Sequence, residues 1–213
     1  MTVTEIAHIT LRSPSTEAFV AAATKSLPIQ DSWFEARHGS TSPFRAVERG
    51  AAFFQQLEDP TKILITAHWA AVDEHKAWIA SDENKIAFGA LFHLIDLDQT
   101  DYFHVEDSAM FPVSILGADN TVVRITRFVV QQEDKAFWEE RFCDYLTASG
   151  GSGGWRIEDD PEQPESTVQF VTVGPSRGQP GDAQENTRMM LSPGTDLEKK
   201  FLSISTRHYR QLF

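Results

Sequence analysis

The sequence predicts an α+β protein whose two halves have the same order of elements and pack sheet to sheet. Three observations carry this prediction. The order strand, helix, two strands, helix, strand can be read in residues 1–112 and again in residues 113–213. A sheet of this topology covers one face with its own helices and leaves the other apolar face in need of a partner. The 213 residues, 41% of them hydrophobic, can build that core. We therefore expect two four-stranded sheets in a pseudo-two-fold barrel with the helices outside.

The first half opens with a strand and a helix and continues with a hairpin. Residues 4–12 form the first predicted strand. In STEAFVAAATKSL, which follows, Phe19, Ala22 and Ala23 have helical spacing behind a Ser/Thr start. AAFFQQLEDPTKILITAHW then consists of two extended runs that an Asp-Pro turn separates, which is typical of a hairpin.

Two helical segments and a strand complete the first half. Residues 72–80 and 84–95 are the predicted helices. The second of them has one apolar stripe, formed by Ala87, Phe88, Leu91, Phe92 and Ile95. The run YFHVED is the predicted closing strand.

The second half repeats this order less clearly. VVRITRFVV predicts a strand, EDKAFWEERFCDYLTAS a helix, and GWRIED and TVQFVTVG a strand pair. GPSRGQPGDAQENTRMMLSPG is rich in Gly and Pro and predicts a loop, after which DLEKKFLSI predicts a helix and TRHYRQLF a strand. Two short sequence similarities align the halves. AHITLR aligns with VRITRF, which pairs His8 with Arg124, and FHV aligns with RHY, which pairs His104 with His208.

Charge and cysteine content narrow the functional classes. A net charge of -12 repels phosphate backbones and anionic lipid headgroups, so nucleic acid and membrane surfaces are not expected partners. The start MTVTEIAHITLR has no leader pattern, and we expect a soluble cytoplasmic protein. The single cysteine, Cys143, agrees with a reducing compartment. It lies in a helical segment, where we expect it to be a small buried residue.

The segment ILITAHWAAVDEHKAWIASDEN connects a strand that ends in Trp to a helix with a His and a second Trp one turn apart. Trp69, His75, Trp78 and Ser81 hold this spacing. On these residues the chain resembles the dimeric α+β barrel superfamily and, within it, the antibiotic-biosynthesis-monooxygenase domain, here in tandem duplication. The resemblance implies two ferredoxin-like β-α-β-β-α-β halves packed sheet to sheet as an intrachain dimeric α+β barrel.

The branches of this superfamily imply different sites. In the haem-degrading branch, the resemblance would place the axial His at Phe88, and Phe cannot ligate iron. In the polyketide-cyclase branch it would place a Tyr and a His at Trp78 and Asn84, so that of the catalytic groups the first-strand His8 alone is retained. The resemblance therefore favours the cofactor-free monooxygenases of phenols and quinols, and we expect no bound cofactor.

Such an oxygenation needs a base, a hydrogen-bond donor for the substrate anion and an apolar cage. His8 is the predicted base because imidazole titrates near neutral pH. Trp78 is predicted to donate its indole N–H, and Asn84 to hold a carbonyl or oxyanion. The predicted substrate-binding residues are Ile65, Trp69, Phe88, Leu91 and Ile95.

Strand alternation gives the orientation of the predicted base. It places Ile6, His8 and Thr10 on one face of the first strand and Ala7, Ile9 and Leu11 on the other. If the resemblance holds, the His8 face looks towards the helices and the pocket. A purely structural role for His8 is the alternative.

The other histidines are interpreted as structural. His68 alternates onto the sheet-to-sheet face, where we expect it to pack in the interior. His75 is expected to make a hydrogen bond at a helix terminus, and His104 and His208 to serve the barrel. His68 and His75 are seven residues apart, which is not the spacing of a zinc or iron site, and we expect no metal.

The sequence thus predicts a cofactor-independent enzyme of secondary metabolism that mono-oxygenates a hydrophobic aromatic or polyketide-like molecule. A polyketide cyclase or isomerase with the same pocket is the enzymatic alternative. A binding or stress-associated protein without catalysis is the other. Because the duplication supplies both halves of the barrel, we expect a monomer that acts as a pseudo-dimer, or a weak homodimer.

Overall fold

The computed structural model describes residues 2–39, 45–106, 110–116, 121–176 and 201–213. Its strands are β1 (Val3–Leu11), β2 (Ala52–Gln56), β3 (Lys62–Trp69), β4 (Ile95–Glu106), β5 (Val122–Gln131), β6 (Ser152–Trp155), β7 (Thr167–Pro175) and β8 (Phe201–Gln211). Its helices are α1 (Glu17–His38), α2 (Val72–Ala80), α3 (Asp82–Gly89), α4 (Val113–Leu116) and α5 (Lys135–Ser149). The α+β class and the order of elements in the first half are confirmed.

The eight strands form one antiparallel sheet in the order β4-β1-β3-β2-β8-β5-β7-β6. The two outer strands then meet, because Val105 of β4 bridges Arg156 and the Ile157 amide donates to the His104 carbonyl at 2.8 Å. The sheet therefore closes into a barrel, which leaves no long unpaired edge among the described strands. Ile6, Leu64, Phe103 and Val171, all fully buried, fill its interior.

The two junctions between the halves are related by the internal repeat. At one, the Nδ1 of His104 on β4 bonds Oε1 of Glu158, which lies in the turn after β6. At the other, the Nδ1 of His208 on β8 lies 2.7 Å from Oε1 of Glu58, in the turn after β2. In both cases the backbone N–H of the histidine also donates to the glutamate. The predicted equivalence of His104 and His208 is confirmed, and each histidine ties its own half to the other.

The predicted alignment of AHITLR with VRITRF, which pairs His8 with Arg124, is wrong by three residues. His104 lies opposite Glu5 in the ladder between β1 and β4, and His208 lies opposite Arg124 in the ladder between β5 and β8. Glu5 is therefore the counterpart of Arg124, and His8 is the counterpart of Arg127. A similarity of apolar letters in AHITLR and VRITRF aligned the strands out of register, whereas the hydrogen-bonded pairs fix it.

Three predicted segments differ in the structure. The helix of residues 84–95 ends at Gly89, where glycine weakens the last turn, and Ile95 begins β4 opposite Leu11. In DLEKKFLSI, residues 201–204 belong to β8, and the rest of that segment lies outside the described residues, as do residues 177–194 of the predicted loop. Cys143 is exposed on α5 instead of buried, because the apolar face of that helix carries Trp138 and Phe142.

Helices α1, α2 and α3 lie on the outer face of the first-half sheet, and α5 lies on the second-half sheet. Trp33 and Phe34 of α1 pack with Trp69 of β3 and Trp78 of α2 in one buried cluster. Among the described residues, no helix is both long and apolar enough to cross a membrane.

Candidate active site

A cavity of about 370 Å³ lies between the first-half sheet and helices α1 to α3. Its size falls within the range of small-molecule sites, roughly 300–1,000 Å³. The floor comes from one face of β1, with Glu5, Ala7 and Ile9. Aromatic rings form much of the wall: Phe53, Trp78, Phe88, Phe92 and Tyr102. These rings give much of the lining a flat, apolar surface.

The local sequence explains why there is a cavity at all. Ala7, Ala51, Ala52 and Ala67 line it from three neighbouring strands or their ends, where larger side chains would fill the space between sheet and helices. Ser81 lies between α2 and α3. Its Oγ accepts the backbone N–H of Asn84 at 3.0 Å and caps the start of α3. The resulting bend leaves both helices in contact with the cavity.

Glu5 places a carboxyl group in this apolar surrounding. The residue is 8% exposed, and its Oε2 accepts the indole N–H of Trp69 at 2.9 Å. The same oxygen lies 3.4 Å from Nε2 of His75. Burial raises the pKa of Glu5 from 4.5 to about 7, against smaller lowering effects of the Trp69 hydrogen bond and of the charges of His104 and Arg49. This carboxyl group therefore exists in both protonation states near neutral pH.

His75 continues from Glu5 into the protein. Its Nδ1 lies 2.7 Å from Nε2 of His104, whose own Nδ1 bonds Glu158. Both imidazoles are buried, and the His75 ring stacks on Trp69 with centroids 4.6 Å apart. Burial, with a further contribution from His104, lowers the pKa of His75 to about 3. His75 is therefore neutral at physiological pH.

Five of the eight predicted site residues line this cavity: Ile65, Trp78, Asn84, Phe88 and Leu91. The other three, Trp69, Ile95 and His8, do not. Trp69 lies behind Glu5, to which it donates its indole N–H, and Ile95 is fully buried in the packing between β4 and α1. The catalytic and binding roles assigned to the five remain predictions.

The predicted orientation of His8 is wrong. The cavity contacts the β1 face that carries Glu5 and Ala7, so His8 lies on the opposite, inner face of the barrel. There its Nδ1 accepts from the Arg127 guanidinium at 2.9 Å, and its ring stacks on Phe103. Burial, with the charges of Arg127, Arg156 and Lys62, lowers the pKa of His8 well below 6.5. His8 is neutral, and its acceptor nitrogen is occupied by its counterpart from the other half.

Glu5 and His75 are not among the site residues that the sequence predicts. A signal for Glu5 exists, because a carboxylate that alternates with Ala7 and Ile9 stands on an otherwise apolar strand face. His75 belongs to the motif spacing, but its partners Glu5 and His104 come from β1 and β4, far away in sequence. His68, expected in the interior, is half-buried there, with Nε2 3.4 Å from the Phe111 amide.

Comparisons with known proteins are informative for structure alone. No protein-family model matches the chain, and no curated protein is detectably similar in sequence. A Fusobacterium nucleatum protein named a "putative monooxygenase" has a TM-score of 0.60 at 10% identity, over 100% of this chain and 93% of its own. An anthrone oxidase-like protein has a TM-score of 0.56 at 10% identity, over 100% and 92%. A haem-binding protein from Thermus thermophilus has a TM-score of 0.55 at 8% identity, over 100% and 92%.

Since one of these neighbours binds haem, the fit of that group to the cavity can be tested. His75 is the sole imidazole of the described lining, and its two nitrogens face His104 and Glu5. Phe88 lines the cavity where the haem-degrading branch would have its axial ligand, and it cannot bind iron. The described cavity therefore does not fit haem. Across the described residues, no group of three or more His, Cys, Asp or Glu side chains is arranged to hold a metal ion.

The neighbours share the whole arrangement of two ferredoxin-like halves at an identity too low to transfer a reaction. Their coverage of this chain is 100% in all three cases. The chain has the dimeric α+β barrel fold of the monooxygenase-like and chlorite dismutase-like proteins, with both halves of the barrel in one polypeptide.

Proposed function

We propose that this protein is a cofactor-independent enzyme that takes a proton from a flat, hydrophobic aromatic molecule and directs the resulting anion to molecular oxygen. The observation that carries the proposal is Glu5, a single buried carboxyl group on the floor of an aromatic-walled cavity, with a pKa raised to about 7. A base whose pKa lies near the working pH combines a useful population of its basic form with a strong drive to accept a proton.

Glu5 replaces His8 as the base of the proposal. The two residues lie three apart on β1 and on opposite faces, so a ligand in the cavity is beside Glu5 and on the far side of the sheet from His8. Two neighbouring side chains also interact with the Glu5 carboxylate. Trp69 stabilises its carboxylate through the indole N–H, and His75 lies at the same oxygen.

The remaining cavity residues have the roles of donor and cage. Trp78 and Asn84 are the proposed partners of the substrate oxygen, since an indole N–H and an amide N–H stabilise an oxyanion. Ile65, Phe88 and Leu91 form the apolar wall that excludes water from the carbanion or phenolate.

Anthrone serves as the probe, because a neighbour of the same fold is named an anthrone oxidase-like protein. Loss of a proton from its methylene group gives an electron-rich anion that can react with oxygen directly. The balanced reaction converts the methylene carbon to a carbonyl group. One oxygen atom enters the product and the other leaves as water with the two methylene hydrogens. Anthrone loses four electrons and molecular oxygen accepts them.

The test is oxygen uptake with anthrone by wild type and by Glu5→Gln. We expect the wild-type rate to rise with pH and to reach half its maximum near pH 7, because Glu5 must be ionised. Glu5→Gln is expected to lose about 100-fold or more of the catalysed rate, the usual contribution of a general base. Glu139→Gln, at an exposed position of α5, is the matched control. Equal rates in wild type and Glu5→Gln would contradict the proposal.

A cyclase or isomerase is the second candidate, and one observation favours it. With a pKa near 7, Glu5 can return the proton it has taken, so the cavity can move a proton within a substrate without oxygen. Turnover of a polyketide-like substrate under argon would favour this candidate. Tight binding of aromatic ligands without turnover, both under argon and in the presence of oxygen, would favour a carrier protein.

A further inference from the structure

We propose that Glu5 exchanges its proton with solvent at the junction between the two halves, through a relay formed by His75, His104 and Glu158. This inference rests on the proposed function, in which Glu5 is the base. It adds that the second half, which contains no part of the described cavity lining, completes the proton path of the first.

The path consists of four side chains in contact. Glu5 Oε2 and His75 Nε2 are 3.4 Å apart, and His75 Nδ1 and His104 Nε2 are 2.7 Å apart. His104 Nδ1 then bonds Oε1 of Glu158. Glu5 is 8%, His75 4% and His104 1% exposed, whereas the Glu158 side chain is 36% exposed. The path therefore starts in the cavity, continues through two buried imidazoles and ends at a side chain that solvent can reach.

The hydrogen bonds along this path have a common direction. Burial disfavours the charge on Glu158, but bonds from the His104 backbone and ring outweigh it and lower the pKa of Glu158, so this residue is an ionised acceptor. In its neutral form His104 carries its proton on Nδ1 towards Glu158, and its Nε2 then accepts from His75 Nδ1. In this arrangement the Nε2 of His75 carries a lone pair and faces Glu5.

This direction allows a proton to leave the cavity by short steps. A proton on Glu5 moves to Nε2 of His75, while the proton on Nδ1 of His75 moves to Nε2 of His104. The proton on Nδ1 of His104 moves to Glu158 and from there to water. Only O–H and N–H bonds form and break. One outward transfer leaves both imidazoles protonated on Nε2, and the reverse sequence restores their protons to Nδ1 and reprotonates Glu5. With a ligand covering Glu5 on the cavity side, this route still sets its protonation state.

The outer end of the path lies in a polar environment. Glu158 lines a second cavity of about 190 Å³ with Lys135, Arg156, Asp159 and Asp160. Glu106 of β4 borders the same space. At the inner end, the charged neighbour of Glu5 is Arg49, and Tyr102 packs edge-on against both imidazoles. The outer cavity is where water can accept the proton.

The internal repeat provides a matched control. His208 and Glu58 repeat the bond between His104 and Glu158, with the same pair of atoms 2.7 Å apart. There, however, Nε2 of His208 is buried and has no hydrogen-bond partner among the described residues, and Arg124 stands in the place of Glu5. The copy at Glu58 therefore holds the barrel together without leading to a base.

The first experiment needs no substrate. Exchange of the His75 and His104 ring N–H protons with water is measured by NMR on protein with 15N-labelled histidine, under argon, for wild type, Glu158→Gln and Glu58→Gln. We expect Glu158→Gln to slow the exchange by about tenfold or more, because the Gln oxygen can accept from the His104 ring N–H but cannot take up its proton. Glu58→Gln is expected to exchange at the wild-type rate. The same rate in all three proteins would overturn the relay.

Glu158→Ala gives a second measurement. Added acetate is expected to restore the exchange in this variant in a concentration-dependent manner, since it supplies a carboxylate at the outer cavity. It is expected to have no effect on Glu58→Ala. An unchanged rate in Glu158→Ala, or acetate rescue of both variants alike, would count against Glu158 as the outlet.

The anthrone assay separates this inference from the proposed function. We expect Glu158→Gln to lower kcat with little change in KM, and to increase the solvent isotope effect, while Glu58→Gln does neither. If wild type does not oxidise anthrone, the proposed function fails and the exchange comparison still decides the relay. If oxidation depends on Glu5 but exchange is equal in the three proteins, the function stands and the relay is wrong.

Discussion

Replacing Glu5 by Gln should remove a loss of stability that wild type undergoes as the pH rises. Gln resembles the protonated carboxyl group in shape and in hydrogen bonding. Its oxygen can accept the Trp69 indole N–H in the place of the Glu5 Oε2. At low pH, where Glu5 is protonated, the substitution is therefore expected to change the free energy of unfolding little.

The magnitude follows from the pKa of Glu5. This pKa is 4.5 for an ordinary glutamate and about 7 in the folded protein. Between these values the unfolded chain releases the proton and the folded chain keeps it, so the folded state binds more protons. Its stability falls as pH rises, and the loss is complete above about pH 7. A difference of about 2.5 units corresponds to about 3 kcal/mol in total. Between pH 5 and pH 8 it corresponds to about 2.5 kcal/mol.

The assay is urea unfolding of wild type and Glu5→Gln at pH 5, 6, 7 and 8. Titrations common to both proteins, such as that of His75, cancel in the difference. We expect Glu5→Gln to gain stability relative to wild type by about 2.5 kcal/mol across this range. Glu139→Gln, with an exposed side chain, should show no such trend. A difference that stays constant within about 0.5 kcal/mol, which is the scatter of surface substitutions, would refute the raised pKa of Glu5.

Three further predictions concern the barrel and the site. Gly154→Ala should cost several kcal/mol in urea unfolding, because its Cβ would collide with a backbone carbonyl oxygen of β4, whereas Gly89→Ala, with open space around it, should stabilise by about 0.5–1 kcal/mol. Equal effects of these two substitutions would contradict the closure of β6 on β4. Trp69→Phe should raise the midpoint of the pH–activity profile by about one unit, because the carboxylate loses a donor; an unchanged midpoint would exclude that role. His8→Asn should cost about 1–3 kcal/mol of stability and leave the rate of anthrone oxidation per folded molecule unchanged, and a selective loss of rate would restore His8 as the base.

The fold could be predicted from the sequence because its signals are local and occur twice. The alternation in ILITAHW and the Asp-Pro turn before it predicted β2 and β3, and both strands are present with the expected pairing. The equivalence of His104 and His208 followed from three-letter echoes and holds because both residues make the same junction. The end of α3 at Gly89 was missed, since an apolar stripe continues through the break into β4.

The candidate site was predicted less well for a physical reason. Alternation along β1 separates two faces but does not say which face meets the helices, since both combine apolar residues with a titratable side chain, Glu5 on one and His8 on the other. The partners that distinguish Glu5 from His8 come from α2, β3 and β4 on one side and from β5 on the other. No local pattern contains that information, because it arises when distant elements pack.

Hydrogen–deuterium exchange at the methylene carbon of anthrone, measured under argon in D₂O, tests the central claim most directly. This exchange reports proton abstraction in the cavity without the later reaction of the anion with oxygen. It therefore applies to an oxygenase and to an isomerase alike. We predict that wild type accelerates this exchange over buffer, with a rate that rises through about pH 7, and that Glu5→Gln does not accelerate it. Equal acceleration by wild type and Glu5→Gln would contradict the assignment of Glu5 as the base.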